Sequence, residues 1–303
     1  PTITDRADRT PTLTTGTPTV TGTDPRTYNL ADDTINSRDL LRSCFASRPE
    51  RCILRRGTGP HLMLIGDSNA YALLPAFQQI AERNDLTLSA AVSGGCPWQR
   101  GLAAEPDANR AETNALFLRA CPERQAKLYD QFLPFLQPDI VVAANVAYER
   151  NTPGHLHFAN EGVSTAQTSP ENDVRIRRAT TASADAILAN GAILVAIEPI
   201  PLPEDDFDPR KCLARATSTT ECRYLTPTSA TIVERTYREL HRSRQHFVAL
   251  DLDRLVCPYL PICDPAINGR VVKGDHSHLT PTFAESLAPT IERLLRDRGV
   301  LPR

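Results

Sequence analysis

The chain has 303 residues, enough for one large domain or two small ones, and 41% hydrophobic residues support a sizeable core. Its 34 basic and 36 acidic side chains leave a net charge of −2, which gives no attraction toward nucleic acid or an anionic membrane. No apolar run approaches the roughly 18 residues of a membrane span.

Residues 1–26 are rich in Thr, Pro and Asp and lack apolar periodicity, so they cannot bury enough surface to fold alone. They read as a linker or an arm draped over the domain, and the start at Pro1 without Met reads as a piece of something longer. Residues 27–60 form a mixed extension, and the domain division is placed at 1–43 for linker and extension and 44–303 for the main domain.

The run Leu62–Ile65 reads as a strand buried on both faces of a parallel sheet. A helix is expected over about 70–83, bent at Pro75. Further strands are expected at 86–92, 140–145, 192–197 and 247–252, separated by helices at 111–136, 173–189 and 228–243, with a last helix at 282–298. Polar excursions lie at 146–171, at 204–226 and around Cys257 and Cys263. Five apolar strands alternating with helices predict an α/β fold: a doubly wound, five-stranded parallel sheet with helices on both faces in three layers.

The eight cysteines fall into sequential pairs, Cys44/Cys52, Cys96/Cys121, Cys212/Cys222 and Cys257/Cys263. None has the spacing of a zinc or redox motif. Pairing by proximity predicts four local disulfides and an oxidising, extracytoplasmic setting.

Gly66-Asp67-Ser68-Asn69 closes the first core strand and opens its helix. A serine there stands at the carboxyl edge of the sheet, where open α/β folds bind ligands, and beside free N–H groups that stabilise negative charge. Far downstream, Asp275-His276-Ser277-His278-Leu279-Thr280 precedes the last helix. The order Ser68…Asp275…His278 suits a nucleophile, a general base and a group that orients the base. Asp67 is read as a local brace of the turn with no proton-transfer role.

A strand-Gly-Asp-Ser-helix paired with Asp-x-x-His-Leu-Thr before the last helix resembles the SGNH/GDSL hydrolase family. Gly95-Cys96-Pro97 after the second strand brings it nearest to SGNH domains attached to membrane acyltransferases of the acyltransferase-3 type. The resemblance spans about 62–295 and implies catalytic Ser68, Asp275 and His278. It also implies oxyanion donors at the Ser68 amide, at Gly95 in preference to Gly94, and at Asn145. The usual Gly-x-Asn-Asp around that asparagine is absent, and Asn69 is a second departure.

The function so implied is serine-dependent transfer of a short acyl group, such as acetyl, to a hydroxyl of a cell-envelope glycan. An esterase using the same residues, or a silent glycan-binding domain, are the alternatives. The implied partners are a membrane acyltransferase domain on the same chain that delivers the acyl group, and a glycan acceptor. The domain itself is expected to be monomeric, to act without a cofactor, and to sit on the periplasmic or cell-surface side, tethered by membrane helices. Asp275, His276 and His278, or His155 and His157, offer metal ligands, but neither cluster forms a full set. Trp98 is a candidate for stacking on a sugar or closing the pocket.

Overall fold

The computed structural model describes residues 23–28, 30, 44, 45, 48–106, 119–148, 156–160, 163–165, 169–204 and 207–302. The central sheet has six strands: β1 (Ile53–Arg55), β2 (Gly59–Gly66), β3 (Leu86–Val92), β4 (Ile140–Ala144), β5 (Ile193–Ile197) and β6 (Phe247–Leu250). Their order across the sheet is β1-β3-β2-β4-β5-β6. The five expected strands are all parallel. The sixth, β1, is an antiparallel edge strand pairing Ile53 with Ser89. Its three half-exposed residues carry no apolar run, which is why the sequence pattern does not reveal it.

Alternation along β2 divides the core. Leu62 and Leu64 pack to one face with helices α1 (Ser68–Arg83) and α5 (Pro281–Asp297), through Leu73, Phe77, Ile80, Phe283 and Ile291. Met63 and Ile65 pack to the other face with the π turn Leu128–Phe132, which continues α2 (Cys121–Lys127), and with α3 (Pro170–Ala189) and α4 (Ile232–Ser243). All four β2 side chains are fully buried, as expected of a strand covered on both faces. Successive crossovers run outward from β2 in opposite directions, so the winding reverses beside β2. That reversal is where an open α/β sheet forms its crevice.

Several boundaries move. Helix α1 begins at Ser68 itself and runs unbroken through Pro75. The helix expected from 111 is present from Cys121, and residues 111–118 lie outside the described residues. The excursion expected to be a polar loop contributes strands Leu156–Asn160 and Val163–Thr165, which form a small antiparallel sheet with Ala103–Pro106. The N-terminal arm meets the body at the 204–226 excursion. The Thr23 amide donates to Thr219 Oγ1 at 3.1 Å, and the Thr219 amide donates to the Thr23 carbonyl at 3.0 Å.

All four cysteine pairs are disulfide-bonded: Cys44–Cys52, Cys96–Cys121, Cys212–Cys222 and Cys257–Cys263. Among the described residues, no helix is long and apolar enough to cross a membrane.

Candidate active site

Strand β2 ends at Gly66, whose φ of 129° belongs to glycine. A Cβ there would lie 1.8 Å from the Ala144 carbonyl oxygen, so the close pairing of β2 with β4 also excludes any side chain. Asp67 then caps α1, accepting from the Asn69 amide at 2.7 Å. Its other oxygen accepts from the Val146 amide at 3.0 Å and the Tyr148 hydroxyl at 2.8 Å. The expected brace is therefore also a crosslink to the chain after β4. Burial raises the Asp67 carboxyl above its ordinary value, against the three hydrogen bonds that favour its charged form. Burial and the neighbouring Asp67 carboxylate likewise push the Tyr148 hydroxyl well up.

Register sets the flanks of this turn. Gly66 lies opposite Val92 on one side and Ala144 on the other, and the Ser93 amide donates to the Gly66 carbonyl at 2.9 Å. Ser93-Gly94-Gly95-Cys96 is thus one neighbour of the Ser68 turn and Asn145-Val146 the other. The Cys96 amide closes the first as a β-turn on the Ser93 carbonyl at 3.0 Å. Gly95 stands at its third position with φ 67°, which explains glycine there, and leaves its own N–H outside the turn bond. Cys121 and Arg124 of α2 hold this turn by the Cys96 disulfide and by a hydrogen bond from Arg124 to Ser93 Oγ. Asn145 is buried; its Nδ2 donates to the Val146 carbonyl at 2.9 Å and its Oδ1 has no partner. One amide hydrogen of Asn145 remains for another acceptor.

The second half of the site is the loop before α5. Asp275 Oδ1 accepts from the Ser277 and His278 amides at 2.8 Å each, and Oδ2 meets His278 Nδ1 at 2.7 Å. Burial alone would raise the Asp275 carboxyl; the bonds from His278 and from the two amides reverse this and hold it well below the ordinary carboxylate range. A carboxylate only accepts, so Nδ1 carries the proton and Nε2 is the free acceptor of the neutral ring. His278 Nε2 lies 2.7 Å from Ser68 Oγ. The Ser68 hydroxyl donates to it, and Asp275, His278 and Ser68 form one continuous hydrogen-bonded line across 210 positions of sequence.

Residues 36–293 match the family described as the SGNH domain fused to AT3 domains. The chain belongs to this SGNH family. Among solved structures it is similar to the periplasmic domain of a lipopolysaccharide acetyltransferase from Salmonella ser. Paratyphi A. That match has 14% identity and a TM-score of 0.57, covering 82% of this chain and 87% of that one. A GDSL-like lipase from Bacteroides thetaiotaomicron is similar at 9% identity and a TM-score of 0.43, covering 79% of this chain and 89% of that one. No curated protein sequence matches. The family match and the likeness to the Salmonella domain place the chain in the SGNH hydrolase fold.

Two features of this SGNH domain escape the sequence pattern. Lys273 is fully buried behind the His278 loop, and its Nζ donates to the Ser277 carbonyl at 3.2 Å. Burial lowers its pKa to about 8, against the opposing pull of Asp275. A lone Lys in a polar loop looks solvent-facing, and nothing in Val271-Val272-Lys273-Gly274 signals otherwise. Trp98 is buried in the core, which leaves its ring no open face for a sugar, and its Nε1 donates to the Tyr237 hydroxyl at 2.9 Å. The indole N–H finds its partner on α4, which is what allows full burial. His276, considered as a metal ligand, meets the Phe207 carbonyl through Nδ1 at 3.4 Å, whereas His155 and the His157 side chain lie outside what is described.

Proposed function

We propose that this SGNH domain transfers a short acyl group, through an acyl-Ser68 intermediate, to a hydroxyl of a cell-envelope glycan. The observation that carries the reading is the line Asp275–His278–Ser68, with 2.7 Å at each link. Ser68 Oγ attacks the ester carbonyl carbon as His278 Nε2 takes the hydroxyl proton. Asp275 holds the ring in the Nδ1–H tautomer and stabilises the imidazolium. The oxyanion forms at the N-terminus of α1, where the Ser68 N–H has no helical partner. The Gly95 N–H and the second Asn145 amide hydrogen are its further donors. Collapse expels the donor alcohol, which takes the proton from His278 Nε2. In the second half an acceptor hydroxyl gives its proton to Nε2 as its oxygen attacks the acyl carbon, and collapse breaks the bond to Ser68 Oγ, which takes that proton back from Nε2. Water in the acceptor's place makes the same residues an esterase.

The family's fusion to AT3 domains supports delivery of the acyl group by a membrane partner domain. The four disulfides support an oxidising compartment outside the cytoplasm. Incubation with p-nitrophenyl acetate and an oligosaccharide acceptor tests the reading. Acetylated oligosaccharide and p-nitrophenol should both form, and Ser68→Ala should lower both by at least about three orders of magnitude. Hydrolysis without any acetylated sugar, across acceptors, would assign the esterase reading instead.

A further inference from the structure

We propose that an open groove on the 207–221 excursion is the acceptor subsite and takes a neutral sugar segment of the glycan, an inference that rests on the acyl-transfer reading above. The groove has a volume of about 490 Å³ and is lined by Phe207, Asp208, Lys211, Arg215 and Glu221 over a floor that includes Cys212 and Ala216. That volume is typical of a small-molecule site, which spans roughly 300–1,000 Å³.

Two contacts join the groove to the catalytic loop. The Phe207 carbonyl meets His276 Nδ1 at 3.4 Å, two residues before His278. Cys212 and Ala216 pack with Leu213 and Cys222 against Val271, where the chain enters that loop. The groove is also built firmly. The Cys212–Cys222 disulfide closes its ends, Arg210 bonds the Leu30 carbonyl, and the Thr23–Thr219 pair ties its far side to the N-terminal arm.

The lining selects the ligand. Two carboxylates and two cations sum to zero charge, so the groove offers no net field for a polyanion or a polycation. Lys211 pairs with Asp208 at 3.2 Å, and Glu221 accepts from Thr217 Oγ1 at 2.6 Å. The Arg215 amide donates to the Cys212 carbonyl, while its guanidinium has no protein partner among the described residues and is left to donate. The lining thus offers both donors and acceptors. Sugar hydroxyls, each both donor and acceptor, meet such a surface better than groups of a single character. Apolar surface is limited to the half-buried Phe207 ring, which packs on Tyr224 at 5.9 Å, with Ala216 and the disulfide. That suits one face of a sugar ring and is too little for a long acyl chain.

The test compares kcat/KM for O-acetylated maltotetraose with kcat/KM for p-nitrophenyl acetate, in the full chain. Phe207→Ala and Arg215→Ala should lower the ratio about tenfold through KM for the oligosaccharide. Arg177→Ala, on a surface ion pair with Glu239, should not change it. Because Phe207 packs on Tyr224, the exposed Arg215→Ala keeps the test decisive if Phe207→Ala fails to fold. An unchanged ratio in Arg215→Ala, or better turnover of an O-acetylated oligogalacturonate than of the neutral sugar, overturns the groove proposal alone. No turnover of either ester by the unaltered protein overturns the acyl-transfer reading and the groove with it.

Discussion

Ser68 and His278 meet across one hydrogen bond but stand on different kinds of structure. Ser68 is carried by the sheet. Its turn follows a strand paired on both sides, Gly66 is wedged against Ala144, and Asp67 ties it to the chain beyond β4. His278 is carried by a loop. Its position comes from one carboxylate accepting two backbone amides and the ring, from the Lys273–Leu279 bridge, and from a buried lysine beneath. Moving Ser68 therefore means deforming the core, whereas moving His278 means only loosening a loop. The two halves should respond differently to substitution: stability and activity fall together on the Ser68 side and separate on the His278 side.

The largest break is expected at Gly66. Gly66→Ala places a methyl on the Ala144 carbonyl in a left-handed backbone, which should cost about 4 kcal/mol or prevent folding. Gly94→Ala, in the neighbouring turn, meets open space and should change the unfolding free energy by less than about 0.5 kcal/mol. Urea unfolding of both variants checks the contrast; equal losses would refute the sheet's hold on the Ser68 turn.

Lys273→Met should do the reverse, sparing the fold while disturbing the base. With a folded pKa near 8 against an ordinary value of 10.5, the folded state binds fewer protons than the unfolded one between those pH values. Stability of the unaltered protein therefore rises with pH across that window, and below pH 8 the buried charge is a full penalty. Lys273→Met should be the more stable protein at pH 7, by up to about 3 kcal/mol, with the difference shrinking toward pH 10.5. Its kcat/KM should nevertheless fall on the order of tenfold, because the Ser277 carbonyl loses its anchor beside the base. Unfolding curves at pH 7 and pH 10 with parallel kinetics decide this.

Disulfides sharpen the contrast by loop length. In the chain-entropy view, loss of Cys96–Cys121, with a separation of 25, should cost about 3.5 kcal/mol, and loss of Cys257–Cys263, with a separation of 6, about 2 kcal/mol. Paired Cys→Ala variants measured by thermal unfolding should keep that order.

Legibility in the sequence follows the same division. The parallel strands were readable because burial on both faces leaves a continuous apolar run such as Leu62–Ile65. The meeting of Ser68, Asp275 and His278 was foreseeable because their types and order suit one hydrogen-bonded line. The edge strand Ile53–Arg55 left no trace, since a half-exposed strand of three residues needs no apolar pattern. Lys273 gave no signal and Trp98 misled for one reason: each is buried with a partner that tertiary structure supplies, the Ser277 carbonyl and the Tyr237 hydroxyl. Tyr148, which completes the Asp67 hub from 81 positions away, was invisible for the same cause.

The most direct test of the central claim is mass spectrometry of the protein quenched in acid during turnover of p-nitrophenyl acetate, followed by peptide mapping. The account predicts a single acetyl adduct on Ser68, absent from Ser68→Ala and slow to form in His278→Ala. An adduct on another residue, or undiminished turnover by folded Ser68→Ala, would contradict it.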